Sequence, residues 1–194
     1  MSRIERFRKL HGPGEACEQA HPSVLERYRH KLPEDFLSEW EHSGWCAYAR
    51  GRIWTVNPDL FIDTIREWLP DWCLGEDNQP IVFARGPFGD LLVYYNGEVG
   101  QLNVHYGRYI VVNPTGLDLF LGFSLTEKYI DNALDGKLAL GAIKKLGPLA
   151  FDEMFTFEPA LALGGATKLK YVKKVKMLPQ LNILAQLFDE VTVE

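Results

Sequence analysis

The hydrophobic pattern changes character three times along the chain. The opening third reads as helical: Ser23 can cap "VLERYRHK", Pro33 sits at a first-turn position ahead of "EDFLSEWEHS", and Gly44 suits a helix C-terminus. From "WCAYARGRIWTV" onward, aromatic and β-branched residues around a glycine-containing turn predict a hairpin. The strongest β signal follows, as "PIVFA", "LLVYY", "EVGQLNVHY" and "RYIVV" separated by "RGPFGD", "NG" and a single Gly. Asn96-Gly97 between apolar runs is a hairpin signal, and such short connections join antiparallel neighbours, because parallel ones need long crossovers.

Two strands end on the same device. In "TVNP", Asn57 can cap and Pro58 can open a helix running to about Leu69; in "VVNP", Asn113 and Pro114 precede "TGLDLFLGF". Helical patterns then return in "LTEKYIDNAL", "KLALGAIKKL" and "LPQLNILAQLFDEV". The reading is α+β: a central, mainly antiparallel meander of hairpins flanked by N-terminal and C-terminal helices. No linker composition divides the chain, and a boundary between residues 1–112 and 113–194 is expected inside one continuous compact unit.

At 194 residues, with 46% hydrophobic and 24% charged, the chain is long enough for a substantial core. Its longest apolar runs are far shorter than the roughly 20 residues that span a bilayer, and "MSRIERFRKLHG" leads into no signal-like apolar segment, so a cytosolic location without membrane attachment is expected. Cys17, Cys46 and Cys73 are odd in number and form no C-x-x-C pair, which predicts buried free thiols rather than a disulfide framework.

The net charge of −5 is unevenly placed. Between Ile53 and Asn103 stand eight acidic residues against two basic ones, which repels nucleic acid and steers basic proteins inward. Asp59, Asp63 and Glu67 recur every fourth residue after Pro58 and predict one acidic helix stripe, with Phe61, Ile65 and Trp68 on the opposite, core-facing side. Asp71, Glu76 and Asp77 extend the acidity into the next loop. The plain reading of this stripe is a solvated face; the sharper one is a docking surface for a cationic partner. The opposite feature, "KLKYVKKVK", reads as a solvated strand or helix face.

Catalytic patterns are lacking. None of His11, His21, His30, His42 and His105 has a metal-binding spacing, and His105, beside Tyr106, reads as a polar strand-edge residue. No serine lies in G-x-S-x-G, and "GGATK" departs from the phosphate-binding G-x-x-x-x-G-K-[ST]. Asp152 and Glu153 are adjacent, so their side chains diverge and cannot share a proton. No catalytic residue, metal or cofactor is therefore predicted.

The tracts "LPEDFLSEWEHSGWCAY", "GRIWTVNPDLF", "FGDLLVYYNGEVG", "LGPLAFDEMFTFEPALALGG" and "LNILAQL" together resemble the GAD-like family joined to the C-terminal domain of type VI secretion immunity proteins. The resemblance implies an antidote that binds a cognate secreted DNase effector one to one and blocks its active site or its access to DNA. Such an antidote binds a protein rather than nucleic acid, and is monomeric or weakly self-associating when free. The resemblance places Gly44, Trp45, Tyr48, Trp54, Asn57 and Pro58 in the GAD-like framework. It places Phe88, Gly89 and Asp90, then Glu153, Phe157, Pro159, Ala160, Leu161, Gly164 and Gly165, in the C-terminal one. Selectivity for one toxin belongs to surface side chains instead, and Asp59, Asp63, Glu67, Asp71, Glu76 and Asp77 are the candidates. Two competing readings are a small hydrolase using Asp90 or Glu153 beside Trp54 and Tyr95, and a general regulatory adaptor.

Overall fold

A computed structural model describes residues 3–73 and 79–194. Its centre is an eight-stranded sheet in the order β1-β2-β3-β4-β5-β6-β7-β10. The strands are β1 (Glu15–Glu18), β2 (Trp45–Tyr48), β3 (Ile53–Thr55), β4 (Ile81–Arg85), β5 (Leu91–Tyr95), β6 (Glu98–Asn103), β7 (Arg108–Asn113) and β10 (Thr192–Val193). Neighbours from β1 through β7 pair antiparallel, as predicted where short turns join them from β2 to β3 and from β4 to β7, and β10 joins β7 in parallel. A second sheet pairs β8 (Glu153–Phe157) with β9 (Val172–Lys176). The class is α+β.

Both faces of the large sheet are covered, which explains why its middle strands are apolar almost without interruption. Along β4, Ile81 and Phe83 face one cluster and Val82 the other; along β5, Leu92 faces the first and Leu91 and Val93 the second. The first cluster is closed by α1 (Arg3–His11), α2 (Pro22–Tyr28), α3 (Glu34–Ser43), α5 (Leu117–Leu119, continued by a π-helical turn to Ser124) and α6 (Glu127–Ala133). The second is closed by α4 (Ile62–Trp68), α7 (Gly136–Leu146), α8 (Met177–Ala185) and the small sheet.

Four sequence readings are corrected. The opening third is not wholly helical, because the fully exposed tetrad Glu15–Glu18 is an edge strand with no apolar alternation to announce it. Cys17 and Cys46 are not free thiols: β1 lies antiparallel beside β2 and brings their Cα atoms to 4.1 Å in a disulfide, a proximity hidden by 29 residues of separation. His105 is no edge residue. It sits in the turn after β6, 4% exposed, with its ring 5.0 Å from that of Phe157 and its Nε2–H donated to the Phe88 carbonyl at 2.9 Å. The last helix stops at Ala185 rather than running on to Val191, and the chain turns back to add β10 to the sheet.

The Asn-Pro device works at both sites, with different results. Asn57 Oδ1 accepts the Asp59 amide at 3.0 Å and starts a 3-10 turn, Pro58–Phe61, ahead of α4. Asn113 Oδ1 accepts the Thr115 amide at 2.8 Å, but Gly116, not Asn113, precedes the next helix. The string "FDEMFTFEPALALGG" is scaffold: Phe155 and Phe157 are buried, and a Cβ on Gly165 would lie 2.0 Å from the Pro159 carbonyl oxygen.

Candidate functional site

The predicted acidic stripe is split by the local backbone. Asp59 falls in the 3-10 turn, whose three residues per turn take it out of phase with α4. Its carboxylate is occupied, accepting from Arg27 Nη1 at 2.7 Å and from the Tyr28 hydroxyl at 2.8 Å, so it ties α4's lead-in to α2. Asp63 projects from α4 with 97% of its side chain exposed, 3.5 Å from Arg66. Glu67 and Asp71 are exposed further along, and Glu76 and Asp77 lie outside the described residues.

Glu67 and Asp71 border a cleft of about 390 Å³ between the end of α4 and the segment after α8. Its opposite wall carries Asp189 and Glu190, which sequence reasoning missed. They lie some 120 residues from Glu67, and the fragment "FDEV" reads as the tail of an amphipathic helix until its chain reversal is known. Trp68, Trp72 and Phe188 supply the apolar lining, with the Trp68 and Phe188 rings 6.0 Å apart.

The basic run is largely neutralised by its own neighbours. Lys173 lies 3.6 Å from Glu158, Lys174 lies 3.6 Å from Glu153, and Lys176 pairs with Asp152. Adjacent Asp152 and Glu153 thus serve different lysines of β9, as their divergent directions require.

Of the residues of the hydrolase reading, Trp54, Tyr95 and Glu153 are engaged elsewhere and Asp90 is buried. Trp54 lies under the Arg85 guanidinium, 4.5 Å from ring centroid to Cζ, and Tyr95 stacks on Trp72 at 5.0 Å. Glu153 accepts the Ala150 amide at 2.8 Å. Asp90 is 3% exposed, and burial, reinforced by Asp135, pushes its carboxyl up to about 8. Among the described residues, no group of three or more His, Cys, Asp or Glu is placed to hold a metal ion, and no helix is long and apolar enough to cross a membrane.

Other buried charges are structural. Arg52 joins the β2–β3 turn to α6 through Glu127 at 2.7 Å and Asp131 at 2.9 Å. Arg85 is fully buried and donates to the carbonyls of Gly86 and Phe151, linking β4 to the strand-leading loop of the small sheet; burial lowers its guanidinium to about 9.

These features describe an α+β protein with structural buried charges and an acidic, aromatic-lined cleft at one edge. The chain belongs to the GAD-like domain family, which matches residues 3–115, and residues 115–188 match the C-terminal domain of the type VI secretion immunity protein Tdi1. It therefore has the domain pair of a type VI secretion immunity protein. Among solved structures, the crystal structure of Atu4351 from Agrobacterium tumefaciens superposes with a TM-score of 0.72 at 18% identity, covering 94% of this chain and 88% of that one, which is a likeness of fold. No curated protein gives a significant match.

Proposed function

We propose that the protein is an antidote that neutralises a cognate type VI DNase effector by one-to-one complex formation, without catalysis or a cofactor, in the cytosol of the cell it protects. The match of residues 115–188 to the Tdi1 C-terminal domain carries this reading. The acidic cleft supports it. A nuclease that grips phosphates needs cationic side chains near its groove, and a carboxylate surface attracts those groups while repelling DNA. In this reading residues 1–112 and 113–194 act as one unit, since each contributes one acidic wall.

The test is a titration of the purified protein into the nuclease encoded beside it, following plasmid cleavage and complex mass together. Protection should be complete near an equimolar ratio, with a stable complex. Protection by substoichiometric amounts, with a chemically changed nuclease, would favour the hydrolase reading. Continued cleavage with no complex would refute the antidote reading.

A further inference from the structure

The cleft at the end of α4 has a composition that selects one kind of side chain. Four exposed carboxylates line it, from Glu67, Asp71, Asp189 and Glu190, with no Lys, Arg or His among the described residues of its lining. None of the four has an ion-pair partner among the described residues, in contrast to Asp59, Asp63, Asp131, Asp152 and Glu153. Two helices also end here. Leu69 caps α4 and Ala185 is the final residue of α8, and their carbonyls accept the Trp72 and Phe188 amides, so the negative character of the cleft comes from its carboxylates.

Between these charges Trp72 is the partly exposed indole, fixed in place by stacking on Tyr95 at 5.0 Å and by the edge-on ring of Tyr109 at 4.6 Å, while Trp68 is buried in the core against Phe188. An anion would be repelled, and a purely apolar side chain would gain nothing from the carboxylates. A guanidinium satisfies both surfaces: it is planar, weakly hydrated, stacks on indole faces and bonds carboxylates in a fork, whereas an ammonium is a compact, strongly hydrated point charge.

We propose that this cleft is the receptor for an arginine side chain on the surface of the bound nuclease, seated against the Trp72 indole and between the carboxylates of the two walls. The proposal rests on the antidote reading for the identity of the partner, and on the cleft alone for the chemistry of what enters it. It assigns Asp189 and Glu190 to recognition together with Glu67 and Asp71, and gives Asp59 no part.

The experiment has two arms. In the first, the affinity of the neighbouring nuclease is measured for the wild-type protein, for Glu67→Gln/Asp71→Asn/Asp189→Asn/Glu190→Gln, and for Asp63→Asn as a charge control outside the cleft. All substituted side chains are exposed, and circular dichroism verifies folding. The cleft variant should bind at least about tenfold more weakly and the control within about twofold. In the second arm, the tripeptide Ac-Gly-Arg-Gly-NH2 and its citrulline counterpart are titrated while the indole N–H resonances of Trp68 and Trp72 are followed. Saturable shifts are expected with arginine and not with the neutral citrulline.

If the nuclease binds wild type and cleft variant alike, the arginine receptor is overturned and the antidote reading stands. If the nuclease does not bind wild type at all, the antidote reading fails and the peptide arm decides: arginine-specific shifts sustain the receptor, while no shifts, or equal shifts with citrulline, overturn it.

Discussion

Buried ionisable side chains make the stability of this protein a function of pH. Asp90 keeps its proton in the fold up to about 8, while in the unfolded chain it ionises near its ordinary 3.8. Below pH 3.8 both states hold the proton and burial costs nothing on this account. As pH rises from about 4 toward 8 only the unfolded state ionises, so stability falls, and the loss is complete once pH passes the folded value. Asp90→Asn removes this titration. In urea unfolding series at several pH values, the stability of the variant relative to wild type should rise steadily between pH 4 and 8, and a pH-independent difference would contradict the assignment. His105 acts with the opposite sign. Burial lowers it to about 4, so its stabilising neutral state is fully present above about 6.5 and is undermined as pH falls toward 4.

Among the elements, β1 is the one whose attachment is least visible in its own sequence. It is held to β2 by strand pairing and by the Cys17–Cys46 bond, and its corner is set by close backbone contact. Gly44, at φ +77°, would place a Cβ 2.0 Å from the Glu18 carbonyl oxygen. Closing a loop across 29 residues restricts the unfolded chain by about 2–4 kcal/mol. Cys17→Ser, or reduction of the wild type, should therefore lower Tm by several degrees while the rest of the sheet, which pairs independently of β1, stays folded. Thermal unfolding with and without reductant checks this, and identical Tm values in all three forms would count against it. Disulfides persist in oxidising compartments and are reduced in the cytosol, so the same measurement tells how much of the stability depends on the compartment.

At the scale of the molecule, the uneven charge becomes a directional field. Of the acidic excess between Ile53 and Asn103, Glu67 and Asp71 line the cleft, and folding adds Asp189 and Glu190 to them while β9's lysines are absorbed by Asp152, Glu153 and Glu158. Association with a basic nuclease should accordingly be steered, with an on-rate that falls about tenfold or more from low to physiological salt while the off-rate changes little. Stopped-flow association at several salt concentrations tests this, and a salt-independent on-rate would exclude steering as the source of rapid capture.

What the sequence determined by itself was everything written in short-range pattern. The antiparallel meander follows from strands joined by turns such as Asn96-Gly97, the Asn57 cap from a side chain acting two residues away, and the class of protein from framework tracts that recur together. What only the tertiary structure decided depends on residues distant in the chain. The disulfide needs two strands aligned side by side, the burial of His105 needs Phe88 and Phe157 brought around it, and the withdrawal of Asp59 needs α2 laid against the 3-10 turn. The cleft is the clearest case. Glu67 and Asp71 are legible as acidic positions, but their joining with Asp189 and Glu190 requires the chain to reverse after Ala185 and lay β10 on β7, and no local pattern of charge or hydrophobicity encodes where a distant segment returns.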